Sequence, residues 1–465
     1  MLFSSIPFLY YFLPVVLVLY LALPKKIRNL LLLLASLVFY FYGEQAYVLL
    51  LLFSTATGYI VGLLVEKYPS KGKLTLVSAV VLNLLILGFF KYADFFITNI
   101  NALLGTGIPL FRVPLPLGIS FFIFQTISYM ADVYRKKIKA EKNPLDFTLY
   151  SVMFPQLVAG PIVRYHTVAK ELKERTFTFE DFAAGAGRFV IGLAKKVLFA
   201  DALSMLAGTL LGASTPTVLS HWLSIFAYIL QIYFDFSGYS DMALGLGSMF
   251  GFRFDENFNY PLIANSISDF WRRWHISMGS WFREYLYIPL GGNRVSGFKW
   301  VRNIFIVWLA TGLWHGASWN FILWGLYFGI ILACEKLFWG KALQKLPSWI
   351  NHIYTLALVF FSFVFFAIES LPEMFRHIAG MFGAGGIAGV DTEALYYLQS
   401  YAPLLIAACI GATPLLKNVF NKLRENPKTA KLFTVLEPVF YAALLIAATG
   451  YIIDSTFNPF LYFRF

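Results

Sequence analysis

Apolar runs of about 20 residues recur along this whole chain, and few folds tolerate that. Each run is long enough to cross the hydrocarbon core of a bilayer as a helix. Of 465 residues, 59% are hydrophobic and only 13% are charged, with a mean hydropathy of +0.68. Backbone in lipid must satisfy its own hydrogen bonds, so the expected fold is an all-α polytopic membrane protein. The 49 Phe, 27 Tyr and 11 Trp suit aromatic belts at the two interfaces. The spacing predicts about eleven spans in a single membrane-embedded domain over 1–465, with no soluble domain and no internal repeat.

The net charge of +12 raises the question of nucleic acid. Its distribution argues against one, because the basic residues sit in short loops between apolar runs, as the positive-inside rule expects. The first run, Ile6 to Leu23, has no basic segment before it and no small-residue cleavage site after it, and reads as a retained span. The loop with Lys25, Lys26 and Arg28 is then cytoplasmic and the N-terminus outside. The basic loops at Glu66–Lys73, Tyr134–Lys139 and Lys417–Lys431 alternate consistently with that start, placing 454–465 outside as an extracytoplasmic tail. Cys334 and Cys409 lie in apolar runs and read as buried thiols. No HExxH or CxxC spacing points to a metal site.

Tyr92 to Pro109 reads as an outer segment. Two later stretches break the regular pattern. Met153 to Val163 carries Pro155, Gly160 and Pro161, which interrupt a spanning helix. Phe234 to Trp300 mixes glycine, proline, charge and aromatic residues. Irregular backbone survives at membrane depth only where protein surrounds it or it lines a cavity, which suggests re-entrant helices around a site.

The chemistry-bearing residues cluster there and just beyond. His315 lies in Trp314-His315-Gly316, within a run free of formal charge from Asn303 to Cys334. An imidazole in such a run marks a functional site, or else a packing histidine bonded to a neighbouring carbonyl. Histidine changes protonation near neutral pH and suits proton transfer. The block from Phe270 to Arg294 holds His275 and Arg272, Arg273, Arg283 and Arg294. Guanidinium pairs well with phosphate, so these arginines are candidates for binding coenzyme A, or simply cytoplasmic-face charges. Asp235 and Asp241 sit in a third cluster and are expected to pair with those arginines as a supporting network. No serine or cysteine occupies a nucleophile elbow, which argues against a serine acyl-enzyme.

The tryptophan-arginine-histidine block, followed 40 residues later by Trp314-His315-Gly316 and preceded by Pro155-Gln156-Leu157-Val158-Ala159-Gly160-Pro161, resembles the membrane-bound O-acyltransferase family. The nearest likeness is to its bacterial branch of alginate and peptidoglycan O-acetylation membrane proteins, with the teichoic-acid D-alanylation protein more distant. It runs from Phe3 to about Trp339. The resemblance implies a helical ring around a central tunnel, and acyl transfer to a hydroxyl. It makes His315 the catalytic histidine and His275 the second histidine, catalytic or orienting. It also implies acetyl-CoA as donor and no permanently bound cofactor. The place it implies is the bacterial cytoplasmic membrane. A serine-hydrolase-like (SGNH-type) O-acetyltransferase outside would be the partner, and an exopolysaccharide or cell-wall polymer the final acceptor. Transfer of D-alanine or a fatty acyl group, and translocation of an acyl donor or polysaccharide without chemistry, stay open as alternatives.

The chain ends Phe460-Leu461-Tyr462-Phe463-Arg464-Phe465. This is an aromatic interfacial anchor on composition. The pattern also resembles the C-terminal motif of the small membrane partner in the D-alanylation system, which makes Tyr462 a candidate acyl acceptor. A phenol of pKa about 10 lies close enough to a thiol at about 8.5 for an aryl ester to keep much of a thioester's transfer potential.

Overall fold

A computed structural model of the chain describes residues 1–158 and 160–454. It is helical throughout, with no strand among the described residues. In chain order the helices are α1 (Leu13–Ala22), α2 (Arg28–Glu44), α3 (Val48–Lys67), α4 (Gly72–Leu104), α5 (Ile119–Tyr134), α6 (Pro144–Val152), α7 (Phe154–Leu157), α8 (Tyr165–Lys173), α9 (Phe179–Ala194), α10 (Asp201–Leu211) and α11 (Val218–Met249). Then follow α12 (Ile267–Arg273), α13 (Ile276–Phe282), α14 (Gly297–His315), α15 (Trp319–Cys334), α16 (Gly340–Leu343), α17 (Ser348–Ala367), α18 (Leu371–Met381), α19 (Thr392–Gly411), α20 (Leu415–Glu425) and α21 (Pro427–Asp454). The protein is an all-α, multi-pass membrane protein. Among the described residues six segments are long and apolar enough to cross a bilayer, and one of them, Lys25–Lys67, holds both α2 and α3. The other crossings expected from sequence fall on helices that are shorter or more polar, among them α5, α11 and α14.

Two expectations change. Irregular structure does not begin at Phe234, since α11 continues to Met249. The segment from Tyr92 is helical as far as Leu104, where α4 ends ahead of Gly105 in the left-handed region. The glycines of α11 beyond Phe234 are contact points rather than breaks. A Cβ on Gly238 would lie 2.7 Å from the Gly192 carbonyl, and one on Gly245 would lie 2.6 Å from that of Gly185. Small residues allow such close backbone approach in membrane helices. Cys409, expected to be buried, lies on an exposed face of α19, as a lipid-facing thiol would.

The chain divides into two compact units, Met1–Phe189 with Ser240–Glu256, and Val190–Tyr239 with Asn257–Phe465. The first is built around α5, whose residues from Ile119 to Val133 are all buried. Gly58 and Gly62, one turn apart on α3, admit Thr126 and Tyr129 of α5 at distances that leave no room for a Cβ. Ser54 donates to Asn83 across α3 and α4 at 3.0 Å. The second unit holds a core drawn from α10, α11, α12, α15, α17 and α19, with Phe363 and Val364 at its interior. The histidines and arginines singled out from sequence lie in this second unit.

Candidate active site

Helix α12 is short, and its start is capped twice. Ser266 Oγ accepts from the Asp269 amide at 3.0 Å, and the Glu335 carboxylate accepts from the Ile267 amide at 3.1 Å. Such acceptors satisfy donors that a helix N-terminus leaves open. The chain then turns at His275, which adopts φ 44° and ψ 55°, a left-handed conformation unusual for a side chain of this size. Asn257 holds the turn. Its carbonyl accepts from the Ile276 amide at 2.9 Å. Its Oδ1 accepts from the Ser277 amide (3.1 Å), from Ser277 Oγ (2.8 Å) and from His275 Nδ1 (3.1 Å). Because the Ser277 N–H fixes that atom as oxygen, His275 carries its proton on Nδ1 and its lone pair on Nε2. The ring is fully buried, with Phe236 edge-on at 4.6 Å and Trp314 at 5.9 Å.

His315 is positioned by a helical hairpin. Helices α14 and α15 meet at Gly312 and Gly325. A Cβ on either would stand 2.3 Å from a carbonyl oxygen of the other helix, that of Phe321 or Trp308. Gly316 turns the chain where a Cβ would meet the Phe321 ring at 2.3 Å. His315 is the last residue of α14 and is 2% exposed. Around its ring stand Trp324 at 4.8 Å, Trp314 at 4.9 Å and Phe366 at 5.1 Å. Trp314 therefore touches both imidazoles. His315 lines a slot of about 10 Å³ with Ile232, Phe270, Trp271, Trp274, Trp324, Phe328, Ser362, Phe363 and Phe366. That volume is on the scale of one water molecule.

A larger cleft of about 600 Å³ opens along the same helices. Arg272, Arg283 and Lys336 line it, with Trp300, Asn293, Tyr287, Ser268 and Glu335. Lys336 Nζ sits 4.3 Å over the Trp300 ring and donates to Asn293 Oδ1 at 3.1 Å. Arg272 and Arg283 are exposed and form no ion pair among the described residues. On α12, Ser268 and Arg272 face the cleft, whereas Phe270 and Trp271 face the slot. On α14, Ile304 and Val307 line the cleft and His315 the slot. Val307 and His315 are separated by roughly 12 Å of helix axis.

The structure thus brings Arg272 and Arg283 to one cleft. Arg273 is engaged elsewhere, with Asp269 at 3.1 Å and the Asn259 carbonyl at 3.3 Å. The expected pairing of Asp235 and Asp241 with these arginines is corrected. Asp235 pairs with Lys196 at 3.0 Å, and Lys196 also meets Asp201. Asp241 pairs with Arg188 at 2.8 Å, which also holds Glu256. Lysine and arginine from helices nearby in the fold outcompete the cluster that lies nearer in sequence. Tyr462 lies outside the described residues. Sequence reasoning missed Asn257, Lys336 and Trp324, and gave Trp271 and Trp274 no role beyond their place in the histidine block. Asn257 was legible as an amide in an aromatic stretch just ahead of that block; Trp324 lies in an apolar run with nothing local to mark it.

The chain matches the sequence profile of MBOAT, the membrane-bound O-acyltransferase family, over residues 33–371. A probable alginate O-acetylase, AlgI, of Azotobacter vinelandii is 43% identical over 423 residues, covering 89% of this chain and 84% of the relative. A peptidoglycan O-acetyltransferase of Helicobacter pylori is 37% identical over 429 residues, covering 83% and 81%. A teichoic acid D-alanyltransferase of Bacillus subtilis is 31% identical over 265 residues, covering 54% and 66%.

Proposed function

The chain belongs to the membrane-bound O-acyltransferase family, and on that premise we propose that it transfers acetyl from cytoplasmic acetyl-CoA toward O-acetylation of an extracytoplasmic polysaccharide, with His315 as general base. The observation that carries this reading is the pairing of the His315 slot with the cation-lined cleft on shared helices. Phosphate groups would engage Arg272 and Arg283 in the cleft, where guanidinium hydrogen bonds are strengthened by charge. The thioester would reach His315. The relatives named O-acetylase cover far more of the chain than the D-alanyltransferase does, which favours acetyl as the transferred group.

In the transfer, the acceptor hydroxyl oxygen attacks the thioester carbonyl carbon while His315 takes the hydroxyl proton. The C–S bond then breaks, and the leaving thiolate takes that proton from the imidazolium. Such general base catalysis contributes about 10²–10⁴-fold. The carbonyl end of α14 carries partial negative charge and favours the transient imidazolium at its last residue. His275, pinned by Asn257, positions the site around Trp314.

The acceptor in this reading is Tyr462 on the outer tail, or a hydroxyl of a serine-hydrolase-like partner outside the membrane. The bilayer is the bacterial cytoplasmic membrane, with both termini outside. Incubating the purified full chain in nanodiscs with radiolabelled acetyl-CoA tests the reading. Label should enter the protein at Tyr462, by mass spectrometry of the C-terminal peptide, and vanish in His315→Ala. Transport of label across vesicles without any covalent product would favour a transporter instead.

A further inference from the structure

The slot beside His315 is lined by two tryptophans whose indole donors the mechanism above leaves unused. Trp271 and Trp324 both line it, their rings 5.6 Å apart and nearly perpendicular. Trp324 stands edge-on to His315, at 4.8 Å. Both indole Nε1–H groups are buried and meet no acceptor among the described residues. Buried tryptophans usually bond their N–H, and buried Trp300 does so, to Tyr287 Oη. Even half-buried Trp222 and exposed Trp339 find acceptors, the Met381 carbonyl and Tyr354 Oη. The one hydroxyl lining the slot, Ser362 Oγ, is already committed to the Val359 carbonyl at 2.7 Å. Two buried indole donors with no acceptor among the described residues, lining one small cavity next to an imidazole, describe a place prepared for an oxygen that carries charge only during reaction.

We propose that the Trp271 and Trp324 indole N–H groups form the oxyanion hole of the acyl transfer, an assignment that rests on the acyltransferase reading of His315. As the acceptor oxygen forms its bond to the thioester carbon, the carbonyl π pair moves onto the carbonyl oxygen. The two indole N–H groups donate to that oxyanion. When the pair returns to re-form the C=O bond, the C–S bond breaks. The CoA thiolate leaves with the proton that His315 took from the acceptor. The indole donors neither gain nor lose a proton. Fixed donors in a water-excluded site act at full strength because they do not have to reorganise. Apolar and aromatic side chains make up most of the slot's wall, which keeps the local dielectric low and the donors strong.

The test replaces each tryptophan with 3-benzothienylalanine, which keeps the bicyclic shape and substitutes sulfur for the N–H. The purified full chain is loaded with acetyl-CoA, and single-turnover release of the coenzyme A thiol is followed. Loss of one oxyanion donor typically lowers the rate by about 10²–10³-fold. We expect a fall of that order for the Trp324 isostere and a comparable one for Trp271, with acetyl-CoA affinity within about twofold of wild type. Wild-type single-turnover rates in both isosteres would overturn the assignment. Trp324→Phe supplies a second variant without the N–H; a normal rate there counts against the proposal as well. His315→Ala runs alongside. If it is inactive while the isosteres run at full rate, only the oxyanion hole fails. If it keeps full activity, the underlying reading of the site fails with it.

Discussion

His275 and His315 are both buried imidazoles against Trp314, yet the fold treats them differently. His275 sits in a left-handed turn, its Nδ1 bonded to an Asn257 oxygen that also holds Ser277. His315 ends a helix among aromatic rings and lines a cavity that His275 does not. One arrangement fixes a ring in place; the other exposes a ring to whatever enters the slot. Two histidines that each follow a tryptophan in the sequence are thus separated by what surrounds them, the first as a positioning residue and the second as the proposed base.

The sharpest attack on that contrast is His315→Ala, which should lower acetyl transfer by at least about 10²–10⁴-fold with the protein still folded and still binding acetyl-CoA. Retained activity would end the distinction. His275→Asn keeps an amide donor for Asn257 and should cost only about tenfold, the scale of one weakened hydrogen bond. An equal loss in the two variants would show both rings in the chemistry. Arg272→Ala and Arg283→Ala should each raise the KM for acetyl-CoA by about tenfold or more with kcat little changed, since a hydrogen bond to a charged group contributes about 1.5–3 kcal/mol. Arg273→Ala, whose side chain holds Asp269, should leave KM alone. Asn257→Ala removes the common acceptor of the His275 turn and should destabilise the protein by about 1–3 kcal/mol, read as a lower Tm.

The smallest effect concerns a third histidine outside both settings. His377 on α18 faces His221 with Nδ1 atoms 2.9 Å apart, and its Nε2 donates to the His221 carbonyl. Burial, with the neighbouring His221 adding to it, lowers the His377 pKa to about 4. The unfolded chain then binds more protons than the folded one between pH 6.5 and 4. Stability should be full above pH 6.5 and decline through that window, and His377→Gln should flatten the decline in Tm. The same profile in both proteins would assign acid sensitivity to another group.

Much of this was readable before any fold was known. Long apolar runs such as those of α3 and α17 declare membrane helices because bilayer thickness sets their length. Histidine and arginine stand out because they are costly in such surroundings. The extension of α11 past Phe234 was not legible. Gly238 and Gly245 suggest a break in an isolated strand of sequence, but here they make helix contacts that only the partner helix reveals. The true partners of Asp235 and Asp241 were equally hidden, because Lys196 and Arg188 reach them across helices. Asn257 lies 18 residues before His275, and nothing local shows that its carboxamide ends at Nδ1.

The Lys196 cluster bears on how the chain is made. Lys196 and Asp235 are each 3% exposed and pair with one another, though the first follows α9 and the second lies in α11. A lone charged side chain at the centre of a nascent helix costs about 2.5–3.5 kcal/mol to insert. Glycosylation mapping of nascent chains truncated before α11, compared with chains extended past Met249, would read the order of entry. Firmer placement of the earlier segment in the longer chains is the expected result. Asp201 in the same segment gives Lys196 one carboxylate at once, so the arrival of α11 adds the second and completes the burial of the charge.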